Sequence, residues 1–142
     1  MAGRLKTWLG KQVEALAKER ASLALAEIGI RAEKYAKDEL YPGHGYLTGT
    51  LQRSIPLAQP DYNWWKDDVE PSSTTPERGG KYVYPTFYRG RARLLLGSGM
   101  HYAIYVHQGH RSFGGYHFIT KALSLVVRRD VTEIIRRYGI KQ

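Results

Sequence analysis

Three of the chain's five histidines fall within ten residues, HYAIYVHQGH at positions 101–110. Imidazole ligates transition metals and titrates near neutral pH, so such a cluster invites a metal or general-base reading. Residues 101–107 read as a strand, in which side chains alternate between faces. His101, Ala103, Tyr105 and His107 would then share one face, and Tyr102, Ile104 and Val106 the other. At roughly 3.3 Å per residue, His101 and His107 stand about 20 Å apart, too far for a single ion with bonds of about 2 Å. His107, His110 and His117 could converge across a turn at Gly109. Residues 81–142, however, offer only Asp130 and Glu133 as carboxylates, both in the C-terminal segment.

The other nucleophile and acid–base candidates are weaker. Ser98 lies in LGSGM, where a nucleophile elbow needs glycine at 96 and 100 and the chain has Leu96 and Met100. Gly-Ser-Gly is turn chemistry instead. Asp67 and Asp68 could pair as acid and base but fall in the least regular stretch of the chain. There is no cysteine, which removes disulfides, thiolate nucleophiles and zinc–thiolate sites together. The expectation is a protein without a catalytic centre, metal or cofactor.

Charge points to a partner rather than a substrate. Residues 1–40 carry 8 basic and 6 acidic side chains, residues 41–80 carry 3 and 5, and residues 81–142 carry 11 and 2, giving segment charges of +2, −2 and +9. An excess confined to the last 62 residues suits a polyanion, an acidic protein surface or a solvated face. KYVYPTFYRGRAR interleaves tyrosines with Arg89, Arg91 and Arg93, a composition common to nucleic-acid grooves and protein interfaces. Arg128 and Arg129 add a second basic site. No zinc-finger, RNP or helix-turn-helix pattern accompanies them.

The elements that must position these residues follow from periodicity. Leu5, Leu9, Val13, Leu16, Ala24, Ile28 and Tyr35 recur at helical spacing through residues 4–40. Gly10 and Gly29 each weaken a helix by about 1 kcal/mol relative to Ala, so one long helix and two broken ones are both open, and Pro42-Gly43 stops it. Residues 59–80 hold three of the six prolines and a Ser/Thr run, the mark of a long irregular loop or insertion. Trp64 and Trp65 within it either fold back onto the domain or anchor a partner. Residues 81–107 predict strands, with Pro85 at an edge or bulge. Phe118, Ile119, Ala122, Leu123, Val126, Val127, Val131, Ile134, Ile135 and Tyr138 trace one apolar face of a helix over 118–138, with Gly139 as its cap. The expected fold is α+β, a single domain over residues 1–142. A long N-terminal helix precedes an antiparallel β-sheet, and an amphipathic C-terminal helix packs on that sheet. No run of about 20 apolar residues is present to cross a bilayer, so a soluble chain made in the cytoplasm is expected.

Three stretches in order carry a resemblance. They are Thr48-Gly49-Thr50-Leu51-Gln52-Arg53-Ser54-Ile55; Leu95-Leu96-Gly97-Ser98 leading into Tyr102-Ala103-Ile104-Tyr105-Val106-His107-Gln108-Gly109; and His117-Phe118-Ile119-Thr120-Lys121-Ala122-Leu123. Together they resemble the neck or tail-completion proteins of long-tailed bacteriophages, across about residues 35–138. Those proteins follow a T-G-x-L-x-x-S-I stretch, a Y-A-x-x-V-E-x-G stretch and an aromatic-rich start to the last helix. The family often has Glu where this chain has His107, and Thr where it has His110. The resemblance implies a structural virion protein at the head–tail junction, made in the host cytoplasm. It would form a ring with copies of itself, touch neighbouring head-completion and tail proteins, and enclose DNA, with no membrane contact. A tail terminator capping the tube and a stand-alone basic nucleic-acid-binding protein are the alternatives. Thr48, Gly49, Leu51, Ser54, Ile55, Tyr102, Ala103, Val106 and Gly109 are then structural positions. Trp64, Trp65, Arg89, Arg91, Arg93, His107, Arg128 and Arg129 are the candidate contacts to partners or DNA.

Overall fold

The computed structural model describes residues 2–46, 49–58, 61–64 and 85–140. Within them the chain is α+β, and the helices dominate. Helix α1 (Ala2–Asp38) is one uninterrupted rod, about 56 Å long at 1.5 Å per residue. Two very short strands, β1 (Tyr41–Pro42) and β2 (Gly45–Tyr46), lead to α2 (Thr50–Arg53). Strands β3 (Leu57–Ala58), β4 (Thr86–Tyr88), β5 (Arg91–Arg93) and β6 (Leu95–Leu96) follow, then helices α3 (Ala103–Gln108), α4 (Phe118–Arg129) and α5 (Val131–Arg137).

Gly29 sits in the middle of α1 without breaking it, and its missing side chain is what matters. A Cβ at that position would lie 2.4 Å from Leu94 and 3.1 Å from Leu57. The helix gives up intrinsic propensity there, and in exchange the strand segment seats directly on its backbone. The remaining buried positions of α1 are small as well: Ala24, Ala26, Ala32 and Ala36; Leu40 is buried just past its end. With Ala122 also fully buried, this alanine seam lets α4 pack close along α1. Gln52 of α2 closes the end of α1, donating from Nε2 to the carbonyl of Lys37 in its last turn (2.9 Å) and to that of Leu40 just beyond it (3.0 Å). The core comprises Ala36, Leu40, Leu51, Ile55, Met100, Ala103, Phe118 and Ala122.

Four sequence expectations change. Residues 101–107 are not a strand; residues 103–108 form helix α3. Met100 and Ala103 are buried, Tyr102 and Val106 pack against the core, and Ile104 and Tyr105 face solvent. The short apolar run fits both periods, and packing of the 100/103/106 series selects the helical one. The 20 Å separation of His101 and His107, which assumed an extended chain, falls with it. Secondly, the strands do not form one sheet. They pair two by two: β3 with β6 antiparallel, β4 with β5 antiparallel, and β1 with β2 parallel. Thirdly, the C-terminal helix packs along α1 rather than on a sheet, and it is two helices broken at Asp130. Finally, the apolar spacing of α1 marks its buried face poorly. Of the fully described members only Ala24 is buried, Ile28 and Tyr35 are half-buried, and Leu9, Val13 and Leu16 are exposed.

Asp130 explains the break. It is buried although charged. It accepts from Arg31 Nη1 at 2.8 Å and from the Tyr35 hydroxyl at 2.6 Å, both on α1. One turn away, Arg137 reaches Glu27 at 2.6 Å. These polar contacts fasten α4 and α5 to the second half of α1. The Tyr35 hydroxyl is held above its ordinary pKa, chiefly by its bond to the Asp130 carboxylate and then by burial. At Glu27 burial pulls upward, but hydrogen bonds from Tyr138 and Arg137 outweigh it and leave the carboxyl below its usual range.

Candidate functional site

The three stretches that carry the resemblance meet at one place in the fold. Gly49 opens α2 in the left-handed conformation (φ 77°), and Leu51 and Ile55 are buried one helical turn apart. Ser54 is buried between them, and its hydroxyl donates to the Leu51 carbonyl at 2.7 Å. Ser54 Oγ also lies 2.6 Å from Ser98 Oγ, and Ser98 Oγ accepts from the Met100 amide at 3.2 Å. The geometry orders the protons. Ser54 has given its hydrogen to Leu51, so Ser98 must donate to Ser54. The sequence runs Met100 N–H to Ser98, Ser98 to Ser54, Ser54 to the Leu51 carbonyl. Ser98 is therefore the knot between the first two stretches, with its proton committed, and more than the plain turn residue its neighbours suggest. Nothing in its flanks could have announced the pairing with Ser54, 44 residues earlier.

His107 joins the second stretch to the third. Helix α4 begins at His117 with no side-chain cap and no acidic residue in its first turn. His107 supplies the missing acceptor from across the fold. Its Nδ1 takes the Ile119 amide at 3.4 Å, and its Nε2 lies 3.2 Å from Thr120 Oγ1. Its ring stands edge-on to Phe118 and to His117, with centroids 5.1 and 5.5 Å apart. Accepting at Nδ1 requires the neutral imidazole with its proton on Nε2, facing Thr120. Burial, followed by the charge of His117, lowers the His107 pKa from its ordinary value. The positive end of α4 favours the same neutral form. His107 is therefore half-buried at a helix start, not at the end of an exposed strand as its sequence context suggests. Among the described residues no group of three His, Asp or Glu could hold a metal ion.

Gly109 ends α3 with φ 94°, and the backbone of 113–115 passes so close that a Cβ there would meet the Phe113 carbonyl at 2.1 Å. This position admits only glycine. Ala103 is buried, while Tyr102 and Val106 pack against the core as part of a helix face.

The candidate contact residues lie apart from one another. Trp64 turns back onto the fold, its indole over Gly97 and edge-on to Tyr62 at 5.1 Å. Trp65 and Thr48 lie outside the described residues, as do Lys81–Tyr84 of the expected first strand, Asp67, Asp68 and most of the 59–80 loop. Arg128 and Arg129 are exposed at the end of α4, and Arg89, Arg91 and Arg93 are exposed on the β4–β5 hairpin. The sequence reading missed a further surface. Every residue of α1 from Leu9 to Arg20 is exposed, Val13 at 66%, and the α4 surface adds Val127 at 64%.

No family model, curated protein or solved structure matches the chain. No helix among the described residues is long and apolar enough to cross a membrane.

Proposed function

We propose that the chain is a structural virion protein of a tailed phage, seated at the head–tail junction. There copies of it form a ring that joins or completes head and tail around the DNA channel. The observation that carries this reading is the bare stretch of α1 from Leu9 to Arg20. This arm, about 17 Å long, precedes the packed half of the helix, with Leu9, Val13 and Leu16 unburied along it. Helices of this length are marginal in water without a packed face. The arm is completed by a partner, and a second copy of the chain fits. The described side chains of the arm alternate in sign (Lys11, Glu14, Lys18, Glu19, Arg20), with Lys18 already paired to Glu14 at 2.8 Å. Side chains of both signs along the arm allow ion pairs with another copy of a chain whose net charge is +9. An arm of one subunit on the body of the next is a heterologous contact, the kind that closes into rings. The convergence of the three resembling stretches on Ser54, Ser98 and His107 also supports the reading.

Light scattering and negative-stain imaging of the purified chain test it. The full chain should form closed rings, and deletion of residues 2–18 should leave a folded monomer. Labelling should place copies at the single junction vertex of purified particles. Particles that contain no copy of the chain would end the proposal.

A further inference from the structure

The β4–β5 hairpin is the most sharply built charged feature of the molecule. Its register pairs Thr86 with Arg93, Phe87 with Ala92 and Tyr88 with Arg91. Alternation therefore puts Arg91 and Arg93 on one side of the ribbon and Phe87 and Ala92 on the other. The second side is half-buried, while the two arginines are exposed. Neither arginine forms an ion pair with any described residue. The connecting turn is Arg89-Gly90, with φ of 52° and 75°, the left-handed pair that two-residue hairpins require. Asn, Asp or Gly suits the first of these positions best, and this chain places a third guanidinium there at the cost of backbone strain. The ribbon cannot swing freely. Leu94, next in the chain after β5, is lodged against Gly29 of α1.

We propose that this hairpin is a phosphodiester-binding finger, in which Arg91 and Arg93 grip the backbone of duplex DNA without reading its bases. The partner's chemistry follows from the side chains. Guanidinium presents a planar fork of donors that matches phosphate oxygens bidentately and stays charged at any working pH. Residues 81–142 carry a net charge of +9, so the molecule attracts polyanions. The shape selects among polyanions. A two-stranded ribbon fits the major groove of B-form DNA, about 12 Å wide. The major groove of A-form RNA is too deep and narrow for it. The inference stands on the hairpin itself and not on the head–tail assignment. A chain absent from particles could still bind DNA, and a ring-forming chain could fail to.

Anisotropy titration of the full-length chain with a labelled duplex of mixed sequence tests the finger, with salt varied from 50 to 200 mM. Each phosphate contact contributes about 0.9 to the slope of log K against log salt. R91Q/R93Q should therefore flatten that slope by about two units and lose about tenfold more affinity at 50 mM than at 200 mM. K34Q/R136Q, on α1 and α5, removes the same charge and should leave the slope unchanged. Thermal melts of both variants should match the parent, because all four side chains are exposed. Equal losses in the two variants would mean bulk charge alone and overturn the finger, as would an unchanged slope in R91Q/R93Q. Polyglutamate displacing the duplex at matched charge would reassign the site to an acidic protein surface. An RNA duplex bound as tightly as DNA would remove the groove geometry.

Discussion

One helix, α1, holds two unlike regions. From Ala24 to Ala36, with Leu40 buried just past its end, one face is sunk in the fold, notched at Gly29 for Leu94 and Leu57, and tied by Arg31 and Tyr35 to Asp130. From Leu9 to Arg20 the same rod touches nothing that buries it. Large apolar residues occur on both halves: Leu9, Val13 and Leu16 are exposed on the first, and Leu23, Leu25 and Ile28 are half-buried on the second. Apolar character by itself therefore does not locate the core of this helix. Its fully buried positions are alanines and Gly29, which mark where other elements come close.

The sharpest way to break the contrast uses the same substitution in both regions. Leu40→Ala should lower the unfolding free energy by about 3 kcal/mol, since Leu40 is 1% exposed and its loss opens a cavity. Leu16→Ala should stay within about 0.5 kcal/mol in the monomer. Urea denaturation measures both, and equal losses would show that the arm is already packed within its own chain.

Next in size is Asp130→Asn. It keeps the shape but removes the charge that Arg31 and Tyr35 address, at a cost of about 1–2 kcal/mol. If Arg31→Ala in that background costs as much as it does in the parent, the clamp does not act as a unit.

The smallest effect concerns pH. The His107 pKa is lowered in the folded chain, so the unfolded chain binds that proton more readily. The stabilisation is fully present above the ordinary histidine value of about 6.5 and is lost as pH falls from there through the lowered folded value. His107→Gln keeps an acceptor for the Ile119 amide and should remove this part of the acid sensitivity. A melting-temperature profile that slopes identically in both proteins would disprove it.

The second half of the chain was the more legible from sequence. The apolar face at 118–138 foretold the burial of Phe118, Ala122, Val126 and Ile134, because amphipathic spacing is a local signal, though Leu123 and Val127 of the same face are exposed. The break at Asp130 was not legible. Neither glycine nor proline marks it, and its cause lies on α1, 95 and 99 residues away. Helix α3 was misread because the five-residue apolar run at 102–106 fits two periods until Met100 and Ala103 find the core. The candidate site was legible only in part. Gly49, Leu51 and Ile55 announce a buried turn. That Ser98 would bond Ser54, or that His107 would cap a helix ten residues downstream, depends on distances that no spacing rule contains. The arginines of the hairpin were visible as composition, but their shared side required the register.

The span of the Arg31–Asp130 contact bears on how the molecule is made. The packed half of α1 is synthesised early, yet the α4 and α5 surface that covers it comes 99 residues later at the Arg31–Asp130 pair. Translation at roughly 5–20 residues per second leaves that alanine seam uncovered for several seconds. A ribosome-bound chain halted before Phe118 would already hold Leu57 and Leu94 for the notch at Gly29, but would lack the carboxylate that Arg31 and Tyr35 address.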